Sequence, residues 1–258
     1  MKNLIYLTLV VFVASCTSKQ QKYEVILLAG QSNMVGVGKE SELADTLLPP
    51  NVTYHDFGMA PNFKPMPHHF GPEMSIARML GESFPNRNFI LIKHAIGGAS
   101  LYDWAPDYDP EKAKITGHPQ FGNMFDTLFT KLESVTKGLK YEPVAFLWMQ
   151  GERDARVPEA GVLYYYHFKG FINAIRERTQ RPDLPFLYGL INPPVDIYPA
   201  LDTVRASQIK INEDLPNTYL IETEGLEKWE DRVHYSTNGQ LELGNRFAER
   251  LAEILASE

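Results

Sequence analysis

The sequence predicts an α/β domain, a three-layer α/β/α sandwich around a mainly parallel central sheet. Three observations carry that prediction. Short continuous apolar runs recur along the chain, segments with helical apolar spacing lie between them, and no repeat or linker breaks the alternation. Strands buried on both faces of a parallel sheet read as unbroken apolar runs, and strands alternating with helices are the mark of parallel α/β architecture.

The elements follow in order. Met1-Lys2-Asn3, an apolar run to Val13 and then Ala14-Ser15-Cys16 read as a secretory leader, too short for a comfortable membrane-spanning helix. Cys16 is the only cysteine, so no internal disulfide can form. Val13-Ala14-Ser15-Cys16 resembles the bacterial lipobox, which implies a lipid on Cys16. The expectation is export through the inner membrane to the periplasm, outer membrane or cell surface, with the membrane touched only through that anchor. Residues 1–21 are then leader and tether, and residues 22–258 the folded body.

The apolar runs predict strands over 23–29, 88–93, 144–149, 186–191 and 218–222, with a weaker candidate at 52–57. Helices are predicted over 72–84, 122–137 and 159–178. In the last of these Leu163, Tyr164, Phe168, Phe171, Ile172 and Ile175 form one stripe. A C-terminal helix carries Phe247, Ala248, Leu251, Ile254 and Leu255, and Thr237 with Gln240 has the spacing of a capping box at its start. The formal net charge of −7 argues against nucleic acid, whose binders carry a basic face.

In open parallel sheets ligands sit beyond the carboxyl ends of the strands, so the loops after each run carry the chemistry. After the first run stands Gly30-Gln31-Ser32-Asn33-Met34, a strand-to-helix turn with a serine at its tip. It differs from the G-x-S-x-G elbow because Met34 stands where the second glycine would be. A serine needs a base, and the base needs a third group to orient it. Asp231-Arg232-Val233-His234 supplies both in one loop, on the same sheet edge. His94 follows a strand and competes as base; His68 and His69 sit in a Pro-rich loop. Gly97-Gly98 would let backbone N–H groups approach a ligand closely. Gln150-Gly151-Glu152-Arg153-Asp154 offers an amide for an oxyanion and a carboxylate for a histidine. No histidine spacing matches a metal signature.

Together, Ala29-Gly30-Gln31-Ser32-Asn33-Met34, Gly97-Gly98, Gln150-Gly151-Glu152 with Asp154, and Asp231-x-x-His234 resemble the SGNH hydrolases. They resemble in particular the branch that holds the acetyl xylan esterases of carbohydrate esterase family six and the sialate O-acetylesterases, and the resemblance spans roughly residues 24–256. It implies Ser32 as nucleophile and His234 as base, with Asp231, or else Glu152, as the acid. It implies an oxyanion hole from Ser32 N–H, the N–H of Gly98 or of Gly97, and the Gln150 side chain. It also implies hydrolysis of O-acetyl groups on a carbohydrate through an acyl-serine, with no cofactor or metal. Gln31, Asn33, Tyr102 and Trp104 are the expected substrate contacts, the two aromatics as platforms for sugar rings, while Asn62-Phe63 and His68-His69-Phe70 would line the opposite wall. The substrate can be an acetylated oligo- or polysaccharide or an O-acetylated sialic acid. A glycan-binding lipoprotein without catalysis and an esterase for other short-chain esters stand as alternatives.

Overall fold

The computed structural model describes residues 21–257. The leader and Cys16 lie outside the described residues. The chain runs from β1 (Lys22–Gly30) through α1 (Ser32–Val35), β2 (Gly38–Lys39), β3 (Val52–Asp56), β4 (His69–Phe70) and α2 (Glu73–Ser83) to β5 (Phe89–Ala95). Next come α3 (Pro110–Ala113), α4 (Met124–Thr136), β6 (Lys140–Met149), α5 (Glu152–Ala155) and α6 (Pro158–Arg178). Then β7 (Phe186–Gly189), α7 (Leu201–Asp214), β8 (Thr218–Ile221) and α8 (Thr237–Ala256) complete it.

Six strands form one sheet in the order β3-β5-β1-β6-β7-β8, and every pairing is parallel. The α/β class read from the sequence is the class of the fold. Residues 25–29 of β1 are fully buried, and β5 is buried along its whole length, as their unbroken apolar runs require. Helix α2 packs on α8, α6 packs on α7, and α4 lies against β5. Two later strands flank β1, so the carboxyl ends of β1, β5 and β6 meet at the centre of one edge, where the strand order reverses.

The differences from the expected elements have local causes. Strand β6 begins at Lys140 because its exposed first residues still pair with β1, and Pro143 is accommodated where the register shifts between Val25 and Ile26. Helix α7 was absent from the sequence reading. Its inward stripe mixes Leu201, Val204 and Ile211 with buried Ser207 and Gln208, so the apolar period is broken. Gln208 uses its amide on the backbone, donating to Gly189 O and Gln150 O and accepting from Ile191 N. The expected capping box of α8 does not form, and a single N-cap bond one residue earlier takes its place. Ser236 is the N-cap and accepts from Gly239 N, while Thr237 is the first helical residue and accepts from Lys39 N.

Replacing an N-cap serine by alanine leaves a first-turn N–H without its partner, so Ser236→Ala is expected to lower stability by about 1 kcal/mol in urea unfolding. An unchanged midpoint would show that the cap is not holding this helix end.

Candidate active site

Three strand ends build the site. Strand β1 ends at Gly30, whose φ of +148° and close approach to β6 exclude a side chain; a Cβ there would fall 2.1 Å from Met149 O. Gln31 N donates to Met149 O, and Gln31 O accepts from Met34 N and Val35 N, which starts α1 and sets Ser32 at its amino end. Beneath α1, Lys93 of β5 is fully buried. Its ammonium donates to Val35 O at 2.7 Å and pairs with Glu73 at 3.1 Å and Asp56 at 3.2 Å, so all three N–H groups have acceptors.

His234 comes from the loop between β8 and α8. Asp231 Oδ1 accepts from the backbone N–H groups of Val233 and His234, closing a tight turn with Arg232 at φ +61°. The other carboxylate oxygen lies 2.6 Å from His234 Nδ1, and His234 Nε2 lies 3.0 Å from Ser32 Oγ. A carboxylate only accepts, so Nδ1 carries the proton and Nε2 presents its lone pair to the serine hydroxyl. Partial burial pushes the Asp231 carboxyl up. The bonds from the His234 backbone and ring and from Val233 outweigh that and hold it below the usual carboxylate range.

Asn33, next to the serine, joins the two halves. Its Nδ2 donates to Glu152 Oε1 at 2.8 Å and to Val233 O at 3.2 Å, and its Oδ1 accepts from Tyr235 N at 3.2 Å. Glu152 is buried at the start of α5, and burial raises its carboxyl against the opposing Asn33 bond. The expectation that Glu152 orients His234 is therefore corrected: Asp231 holds Nδ1, and Glu152 holds Asn33. The expectation that Asn33 contacts substrate is corrected with it, because its donors and acceptor are used inside the protein.

Gly98 follows β5 with φ +80°, and its neighbour Gly97 donates to Met59 O. Among the described residues, no protein acceptor is bonded to the backbone N–H of Ser32 or of Gly98. Gln150 does not join them. It is fully buried, donates to Ala99 O, Asp154 and Gln31, and accepts from Tyr164 Oη. Its expected oxyanion role is corrected to holding the glycine loop in place. Gln31 does reach the cavity wall, but its Oε1 accepts from Arg153 N.

Tyr102 and Trp104 give the clearest disagreement. Trp104 is fully buried, edge-on to His94, Trp148 and Phe171, and presents no face to a sugar. Tyr102 lines a separate depression beside His167, Asp107 and Lys112. His94 is enclosed with Trp104, and burial pushes its ring down to about 3, which removes it as a competing base. Of the residues expected on the opposite wall, His68 and His69 line another depression and Phe63 packs on Phe121.

Ser32 and His234 line a cavity of about 410 Å³, within the usual range for small-ligand sites. Val35, Val37, Pro61 and Met66 give the cavity apolar lining, and His118, Arg153, Arg156 and Tyr198 also line it. Sequence alone assigns no site role to Arg153, Arg156 or Tyr198, and His118 has no acid at a spacing that would make it a base. Arg153 and Arg156 stand one helical turn apart after β6, a signal that was available. His118 and Tyr198 come from irregular loops and left none.

A family model described as carbohydrate esterase, sialic acid-specific acetylesterase matches residues 22–253. No curated protein matches the chain. A protein from Arabidopsis thaliana of solved structure is 21% identical over 89% of this chain and 98% of its own, with a TM-score of 0.68. A carbohydrate acetylesterase from Xanthomonas citri is 18% identical over 91% of this chain and 57% of its own, with a TM-score of 0.67. NanS is 14% identical over 93% of this chain and 99% of its own, with a TM-score of 0.66. At these identities the three structures share the fold.

Asp154 ties this edge together, accepting from Leu101 N and Gln150 Nε2, and burial pushes its carboxyl up to about 7. An unfolded aspartate titrates near 3.9. The folded protein therefore keeps a proton that the unfolded chain has released, and this stabilisation is complete below about pH 4 and lost as pH rises to about 7. Asp154→Asn is expected to flatten the fall in urea midpoint between about pH 5 and 8; identical falls in both proteins would contradict the assignment.

Proposed function

We propose, on the premise that the chain belongs to the sialic acid-specific acetylesterase family of carbohydrate esterases, that it deacetylates a sugar through an acetyl-Ser32 intermediate. Membership makes it a carboxylic ester hydrolase acting on acetylated carbohydrate. The observation that carries the finer reading is the line from Ser32 Oγ through His234 to Asp231, with spacings of 3.0 and 2.6 Å at the mouth of a cavity.

His234 Nε2 takes the hydroxyl proton as Ser32 Oγ attacks the ester carbonyl. The oxyanion that forms is received by the free N–H groups of Ser32 and Gly98; one such donor contributes about 100- to 1,000-fold in rate. As the intermediate collapses, the proton on Nε2 passes to the leaving sugar oxygen and the alcohol departs. Water then gives a proton to Nε2 and attacks acetyl-Ser32. Acetate leaves, and the proton returns to Ser32 Oγ. Asp231 keeps the imidazole in the right tautomer and stabilises its charged form throughout.

The cavity favours a sugar that carries a carboxylate, such as a sialic or uronic acid, over a neutral acetylated xylan. Among the described residues neither Arg153 nor Arg156 forms an ion pair, although the chain as a whole is acidic. Arg153 is held by Thr116 O through Nε and Nη2. Partial burial and the neighbouring Arg156 push its guanidinium down, against the opposing pull of Asp103 and Asp154, and a planar guanidinium suits a carboxylate. We further propose that Cys16 carries a lipid after export, a reading supported by the sequence around it. Cys16→Ala should move the protein from the detergent phase to the aqueous phase, and retention in detergent would overturn it.

With 4-nitrophenyl acetate, Ser32→Ala is expected to fall to background. Asp231→Asn should lose about 10,000-fold in kcat, while Glu152→Gln, which still accepts from Asn33, keeps most activity. A Glu152→Gln loss as large as that of Asp231→Asn would reverse the two roles, and a well-folded but inactive wild type would favour a glycan-binding protein. Arg156→Ala should raise KM for an O-acetylated sugar acid about tenfold, the size of one lost charge-assisted bond, and leave 4-nitrophenyl acetate untouched. Equal effects on both esters would argue for a neutral substrate.

A further inference from the structure

We propose that His118 sets the length of the acyl group, closing the acid side of the ester against anything longer than acetyl. The inference rests on the reading of Ser32 as nucleophile and Gly98 N–H as oxyanion donor, since these fix where the acyl group must lie. With the carbonyl oxygen between those two N–H groups, the acyl chain runs beside Gly98.

His118 stands at that place. A side chain built on Gly98 would meet the His118 ring at 3.5 Å, so the imidazole occupies the space over the Gly98 backbone. Pro61 closes the neighbouring position in the same way, 2.8 Å from where a side chain on Gly97 would begin. Both His118 and Pro61 line the cavity with Ser32 and His234.

The ring cannot easily swing aside. It stacks on Phe121 with centroids 4.8 Å apart and planes 9° from parallel, and Phe63 packs edge-on against the far partner at 5.5 Å. A 3-10 turn at Pro119–Phe121 fixes the two rings relative to each other, and Tyr108 Oη donates to Pro119 O. Burial and Arg153 both disfavour the imidazolium, so the wall is a neutral, flat aromatic surface. A flat apolar stop excludes extra methylenes by contact, each one worth about 10- to 200-fold in discrimination.

The test compares kcat/KM on 4-nitrophenyl acetate and 4-nitrophenyl butyrate for wild type, His118→Ala and His118→Phe. Wild type should prefer acetate. His118→Ala should raise the butyrate-to-acetate ratio by about tenfold or more, and His118→Phe, which refills the same space, should restore the acetate preference. An unchanged ratio in a His118→Ala protein of normal melting temperature would overturn the proposal. So would a rise in KM confined to acetylated sugars, because that places His118 on the alcohol side. Loss of hydrolysis in Ser32→Ala with no change of ratio in His118→Ala would leave the esterase reading standing and this one fallen.

Discussion

The side-chain amide of Asn33 is the interaction on which the site depends. Ser32 is fixed by a turn at the centre of the sheet, whereas His234 rides on a long loop beyond the edge strand β8. Nothing in the sheet itself brings these two together. Asn33 does so by holding Val233 O and Tyr235 N, the backbone groups on either side of His234. Its remaining donor hydrogen goes to Glu152, which comes from the end of β6. One buried amide thus ties the Ser32 turn, the His234 loop and the third strand end, and its bonds are strengthened by the low dielectric around them.

The same economy governs the polar groups beneath the cavity. Gln31, Gln150, Asp154 and Gln208 are all buried, and each spends its hydrogen bonds on backbone atoms, on one another or on the Tyr164 hydroxyl. Lys93 satisfies the carbonyl that ends α1. A half-satisfied network here would cost more than an apolar core, since each orphaned group would forfeit its hydration. These bonds hold the floor of the cavity, while His118, Arg153, Arg156 and Tyr198 contribute to its lining.

Much of this was legible in the chain. The parallel sheet could be read because β1, β5 and β6 are buried on both faces and their runs are unbroken. The serine and histidine could be read because each follows a strand, and Asp231 because an aspartate three residues before a histidine can bond it within one turn. What escaped was set by tertiary context. Helix α7 hides because its inward face uses Gln208 to satisfy backbone. Trp104 looked like a sugar platform because an aromatic on an active-edge loop has the right composition, yet it packs into the core under Trp148 and Phe171. Gln150 looked like an oxyanion donor because it stands at the right place in the chain, and only the fold reveals that its amide is already spent.

The most direct test is the rate at which a fluorophosphonate labels the protein, with the modified residue identified by peptide mass. The account predicts a label on Ser32 alone, forming about 100-fold more slowly in a folded Asn33→Ala protein, because a small misplacement of base and nucleophile costs that much. Label on another residue, or a wild-type rate in Asn33→Ala, would contradict it.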